Sequence, residues 1–202
     1  MGAKQPAQAV RRRTRSVDIE TDLLVAADRL LAESGPDALT VRAVATAAGV
    51  APMGVYNRFD GKHGLLEALF IKGFDELRAD VAAATGTTAL ARLRNGCLAY
   101  REYAIGHPQY YRLMFDRMHE VEPSEEALIH AFDSFGELVS RCAAAVASGQ
   151  IAPAGEVEIA QQLWNGMHGA VILELSGIGF TENAALTYQS MLDTMLRGLA
   201  AT

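Results

Sequence analysis

The sequence predicts an all-α protein in which a three-helix head carrying a helix-turn-helix precedes a bundle of about six helices that dimerises. Three observations lead there. Apolar residues recur at helical spacing along the chain, with no strand-type alternation and no internal repeat. The segment 40–59, TVRAVATAAGVAPMGVYNRF, reads as two short helices joined by a tight turn. Half of the residues are hydrophobic with only six prolines, which suits a folded protein of one sizeable core or two small ones.

Residues 1–16 lack periodicity and hold Lys4, Arg11, Arg12, Arg13 and Arg15, so they read as a disordered basic arm able to reach a phosphate or a minor groove. A helix over 17–34 follows, with Ile19, Leu23, Ala27, Leu30 and Leu31 on one face. Asp18, Glu20 and Asp22 sit at its start, where the helix dipole favours acids, and Gly35-Pro36 stops it.

In the central pair, Val41, Val44, Ala45 and Ala48 repeat at helical spacing and Gly49 can take the left-handed conformation that ends a helix. Pro52 fits the first turn of the next helix, whose underside is Val50, Val55 and Phe59, and Ala45 is small where the two must cross. Ala51 is a poor N-cap, and Gly54 weakens a helix by about 1 kcal/mol relative to Ala. This helix is therefore expected to be loose until a partner orders it.

The fourth helix, 62–84, presents Leu65, Leu66, Leu69, Phe70 and Phe74; its first half completes the head and its second half enters the body. Thr85-Gly86-Thr87-Thr88 breaks the pattern before a helix over 89–106, and His107-Pro108 separates that from a short aromatic helix over 109–115. Pro123-Ser124 with Glu125 and Glu126 opens a helix reaching 148, residues 149–155 form a loop, and helices over 156–176 and 182–199 flank a turn at 177–179. The domain division is an arm (1–16), a helix-turn-helix head (17–62) whose motif is of the kind that binds DNA, and a body (63–202) expected to bind a ligand and to dimerise on the resemblance given below.

The net charge of −6 is unevenly spread: residues 1–62 carry nine Lys/Arg against seven Asp/Glu, and residues 63–202 carry nine against seventeen. A mildly basic head on an acidic body brings the head to phosphates and keeps the body away. The alternative, a helical ligand-binding or protein-interaction bundle without sequence-specific DNA binding, has no use for this asymmetry.

No apolar stretch approaches the ~18 residues of a membrane span and no apolar signal core follows the basic N-terminus, so a cytoplasmic location and no membrane partner are expected. Cys97 and Cys142 are far apart and outside any Cys-x-x-Cys pair, which speaks against a disulfide or zinc framework. No enzyme is expected. His-Glu-x-x-His, Gly-x-Ser-x-Gly, P-loop and dinucleotide fingerprints do not occur, and the five histidines have no metal-ligand spacing, so neither cofactor nor metal is anticipated. His168 and Glu174 lie about 1.7 turns apart, on different faces, and make no acid/base pair.

Glu33-Ser34-Gly35, Leu39-Thr40-Val41-Arg42, Gly49-Val50, Tyr56-Asn57-Arg58-Phe59 and Asp60-Gly61-Lys62, in this order and spacing, resemble the N-terminal domain of TetR-type transcriptional regulators. Ala99-Tyr100-Arg101-Glu102-Tyr103, His107-Pro108, Tyr111, Met114-Phe115, Trp164, His168-Gly169 and Glu174-Leu175 resemble the C-terminal regulatory domain of that family named for its Trp, His and Gly. The resemblance implies a homodimeric, ligand-responsive regulator, a repressor that a small apolar effector releases from a pseudo-palindromic double-stranded operator.

It places Thr40, Arg42, Tyr56 and Lys62 at phosphate-contacting positions, and Pro52, Met53, Gly54 and Asn57 face the groove, with Arg58 serving either role. Ala51 and Gly54 depart from the family's Ser/Thr cap and its Thr, so base preferences do not transfer. Leu186, Tyr188, Leu192, Met195, Leu196 and Leu199 form a stripe on the last helix, and Gly166, Gly169 and Ala170 allow close approach on the helix before it; together they are the expected dimer interface. If the body forms the family's bundle, Phe74, Leu93, Cys97, Tyr100, Arg101, Phe132, Phe135, Trp164, Met167, His168 and Val171 converge on an effector pocket.

Overall fold

The computed structural model describes residues 16–201. Among these residues ten α-helices run in order: α1 (Ser16–Ser34), α2 (Val41–Ala47), α3 (Pro52–Phe59), α4 (Lys62–Ala83), α5 (Ala89–Gly106), α6 (Pro108–Phe115), α7 (Met118–Val121), α8 (Glu125–Ala147), α9 (Glu156–Leu175) and α10 (Ala184–Leu199), with a 3-10 turn at Pro36–Ala38. The fold is all-α as expected, and among the described residues the sole extended pairing is an isolated bridge between Ile151 and Ala200. The basic arm expected over 1–16 lies outside the described residues except for Ser16, which opens α1.

Side-chain caps set several boundaries. Thr40, Thr88 and Ser124 each accept a hydrogen bond from the backbone N–H three residues on, at 3.1, 3.1 and 3.2 Å. Gly49 ends α2 at φ 68°, where Gly49 N–H donates to Thr46 O at 3.1 Å and Val50 N–H to Ala45 O at 2.9 Å, the two bonds of a Schellman motif. These bonds fix the angle at which α3 leaves α2. The α7 helix is an addition to the sequence reading, being one turn without a side-chain cap.

One apolar core continues from head to body. Leu23, Leu31, Val44, Val55, Leu65 and Leu69 are fully buried in the head, and Phe70, Phe74, Leu93, Tyr111, Leu163 and Val171 carry the core through the body. Each such side chain contributes roughly 1.5–3 kcal/mol on burial. The long α4 belongs to both parts, packing on α1 and α3 at one end and on α5, α6, α7 and α8 along the rest.

Polar ties reinforce this junction. Asp28 on α1 accepts hydrogen bonds from Tyr110 Oη at 2.5 Å and Lys72 Nζ at 3.3 Å, Arg117 holds both oxygens of Asp37 at 2.7 and 3.2 Å, and Glu67 accepts from Ser124 N–H at 2.7 Å. The Arg117 guanidinium holds the Asp37 carboxyl below the usual carboxylate range. No helix among the described residues is long and apolar enough to cross a membrane.

Candidate DNA interface and effector cavity

In the head, α3 crosses α2 with Val55 fully buried and Ala45 1% exposed at the contact, which turns the rest of α3 outward. Thr40, Arg42, Pro52, Met53, Tyr56, Asn57 and Lys62 are exposed; Gly54 and Arg58 are half-buried. Arg42, Asn57 and Lys62 make no side-chain hydrogen bond or ion pair among the described residues, so their polar groups remain available to a partner. The Tyr56 ring lies over Gly61, where a Cβ would stand 3.2 Å from Cε1 and where φ is 94°. As the sequence indicates, Ala51 supplies no side-chain cap to α3.

In the body, a cavity of about 440 Å³ opens between α4, α5, α6, α7, α8 and α9. Phe74, Cys97, Tyr100, Phe132, Phe135, Trp164 and Met167 line it, as anticipated. The sequence reading missed Leu77 and Val81 of α4, although they extend the stripe of Phe70 and Phe74 by three and seven residues. It also missed Met114, Phe115 and Met118, and the polar pair Ser134 and Gln161.

Four anticipated pocket residues stand elsewhere. Leu93 and Val171 are fully buried core residues off the cavity wall. Arg101 turns to α9, where its Nε donates to Glu174 Oε2 at 2.9 Å and a second N–H donates to Oε1, while the guanidinium lies 5.8 Å from the Tyr188 ring. His168 stands behind the wall, with Nδ1 2.6 Å from Tyr111 Oη. That oxygen is 2.6 Å from Tyr100 Oη, which accepts from Trp164 Nε1–H at 3.2 Å. Burial lowers the His168 pKa against the opposing pull of Asp116 and pushes the Tyr100 phenol up to about 12, so the network is neutral at pH 7. The body residues that recur together in the sequence pattern are thus partners in space: Tyr100 with Trp164, Tyr111 with His168, and Arg101 with Glu174.

The outer faces of α9 and α10 divide the expected interface stripe. Tyr188 and Leu192 point into the chain's own core, 2% and 0% exposed, with Tyr188 Oη donating to Cys97 O at 2.7 Å. Gly166 serves the crossing of α9 with α10 of the same chain, since a Cβ there would lie 2.8 Å from Met195 Sδ. These three residues are corrected to intrachain packing, because a stripe this broad wraps past one contact face. Gly169 is exposed with open space before it, Leu173 and Leu186 are 52% and 61% exposed, and Ala170, Met195 and Leu199 are half-buried.

Both parts of the chain match known proteins. Residues 23–69 match the family model described as bacterial regulatory proteins, tetR family, and residues 93–198 match that described as tetracyclin repressor-like, C-terminal domain. An uncharacterized HTH-type transcriptional regulator of Mycobacterium tuberculosis is 32% identical over 155 residues, spanning 76% of this chain and 74% of the relative. The HTH-type transcriptional activator FasR of Mycolicibacterium smegmatis is 30% identical over 149 residues, spanning 69% and 68%. A solved structure of a protein of unknown function from Rhodococcus sp. RHA1 superposes with a TM-score of 0.82 at 26% identity, covering 96% of this chain and 100% of that one. A tetR-family regulatory protein from Rhodococcus RHA1 gives 0.67 at 19% identity, covering 91% and 98%, a likeness of fold.

Proposed function

The chain belongs to the TetR family of DNA-binding transcriptional regulators, and from that premise we propose that it is a homodimeric repressor released from a pseudo-palindromic operator by a small, largely apolar effector. One observation carries the proposal: α4 begins at exposed Lys62 beside α3 and, about 18 Å further along its axis, lines the cavity with Phe74. A ligand that prefers one tilt of α4 changes the separation of two heads and so biases DNA affinity.

Thr40, Arg42, Tyr56 and Lys62 contact phosphates; Pro52, Met53, Gly54 and Asn57 enter the major groove; Arg58 serves at either surface. One head buries too little surface for tight specific binding, so two are paired to read half-sites about one helical turn apart. The pairing face on α9 and α10 is built on Gly169, Ala170, Leu173, Leu186, Met195 and Leu199. The protein works in the cytoplasm, where its operator lies. The name of FasR supports an activator as the second reading, and in vitro transcription from the bound promoter separates the two.

Fluorescence anisotropy with fragments flanking the protein's own gene tests DNA recognition. Lys62→Ala weakens all operator variants alike and flattens the salt slope, whereas Asn57→Ala costs about 1–3 kcal/mol at one base pair and relaxes preference there. Equal loss across the operator panel for both variants overturns this division of roles.

A further inference from the structure

Given the effector reading above, we propose that the cavity takes an uncharged ligand: a mainly hydrocarbon or aromatic molecule with one hydrogen-bonding group held at Ser134 and Gln161, with carboxylates and ammonium ions of the same size excluded.

No Asp, Glu, Lys, Arg or His stands on the cavity wall. Two cations stand behind the wall near Cys97: Arg94, whose guanidinium donates to both oxygens of Asp193 at 2.6 and 3.1 Å, and Arg141, which approaches Gly96 closely, since a Cβ there would be 3.1 Å from its Cδ. The Arg141 guanidinium is already committed. It donates to Glu137 at 2.8 Å, to the carbonyls of Ala84 and Arg92 at 3.1 and 2.7 Å, and to that of Ala82 at 2.9 Å. Arg101 is held by Glu174 in the same way. Burial pushes the Cys97 thiol up to about 12, so this wall residue is neutral as well. A carboxylate entering here loses its water and meets no free cation, and an ammonium meets no free carboxylate; ions in such surroundings stay in solvent or neutralise first.

The polar groups narrow the class further. Tyr100 Oη already has Trp164 Nε1, Tyr111 Oη and His168 Nδ1 within hydrogen-bond distance, which uses the indole N–H too. Two wall groups keep capacity. The Ser134 hydroxyl makes no hydrogen bond among the described residues, and the Gln161 amide donates to Asn165 Oδ1 at 2.7 Å, leaving its carbonyl oxygen open. Both residues are half-buried and stand on facing helices, α8 and α9. One hydroxyl and one carbonyl match an alcohol, which accepts from the first and donates to the second, or an ester, which accepts from the first alone. Phe132 and Met118, 68% and 40% exposed, mark the rim through which the molecule passes.

Trp164 is the single tryptophan and lies on the wall, so its fluorescence reports occupancy in the full chain. The probes are decan-1-ol, decanoate and decylammonium. Near neutral pH the alcohol binds roughly a hundredfold tighter than either ion. Acidifying from about pH 8 to about pH 6 tightens decanoate roughly tenfold per unit, because the protonated acid is the species that enters, and leaves decanol unchanged. Ser134→Ala weakens decanol about five- to tenfold. Ala131→Phe fills the cavity and abolishes binding; if it does not fold, Ser134→Phe at the half-buried wall replaces it. Ions binding within tenfold of decanol, with the filled variant blocking all three, overturn charge exclusion while the cavity stands as the site. Binding that survives the filled variant overturns the effector reading itself, and failure of decanol to bind overturns the proposed ligand class.

Discussion

Ala51 and Gly54 show how one residue shapes the head. The α3 helix begins without a side-chain cap and carries a glycine whose backbone needs no positive φ. A Cβ at Gly54 would stand 3.6 Å from Val50 Cγ2, an ordinary contact, so Gly54→Ala should raise the unfolding free energy by about 0.5–1 kcal/mol. Ala51 has φ −73° and ψ 148°, the extended geometry of an N-cap, and Ala51→Ser should add about 1 kcal/mol. Urea unfolding measures both, and loss of stability in either variant sinks the idea that α3 is held below its attainable order. Both departures are legible in the sequence because they concern backbone freedom and local capping. Side-chain destinations in the body are less so. Helical spacing puts Cys97, Tyr100 and Arg101 on neighbouring positions of α5, yet Cys97 and Tyr100 meet the cavity while Arg101 is drawn aside by Glu174, a carboxylate 73 residues later.

The same contrast between local and distant causes governs the helices. Where a cap and a breaker coincide, as at Thr88 and His107-Pro108 around α5, sequence and structure agree on both ends. Met118–Val121 escaped the sequence reading because one uncapped turn is too short to display a period. The broad apolar stripe of the last helix covers two faces, of which Tyr188, Leu192 and Leu196 fill the core and Leu186 stays outside. Leu173→Glu with Leu186→Glu should therefore give folded monomers by light scattering, with helical circular dichroism retained, because both side chains are more than half exposed in the single chain. Leu192→Glu should instead unfold the body, since it places a carboxylate where the wild-type side chain is fully buried. A dimer that persists in the double variant puts the interface on another face.

Across the whole molecule, charge decides how DNA can be approached. Of the nine basic residues before position 63, five lie within 1–15, so residues 16–202 alone carry thirteen Lys/Arg against twenty-four Asp/Glu. Residues 16–202 are thus strongly acidic, and on the function proposed above the exposed cations Arg42 and Lys62 attract phosphates against that field. Residues 1–15 hold five Lys/Arg and no Asp/Glu, against four Lys/Arg in residues 16–62, so their contact with DNA would change that balance. Counterion release makes the contribution measurable: log K falls with log salt by about 0.9 per phosphate neutralised on duplex DNA. Deleting residues 2–15 should flatten the slope by roughly 2–4 per protomer and weaken binding at low salt, with little change in preference among operator variants, since arm contacts to the backbone carry no sequence information. An unchanged slope would show that the folded head alone meets the phosphates and that the five cations remain in solvent; loss of preference at particular A·T pairs would instead place the arm in the minor groove.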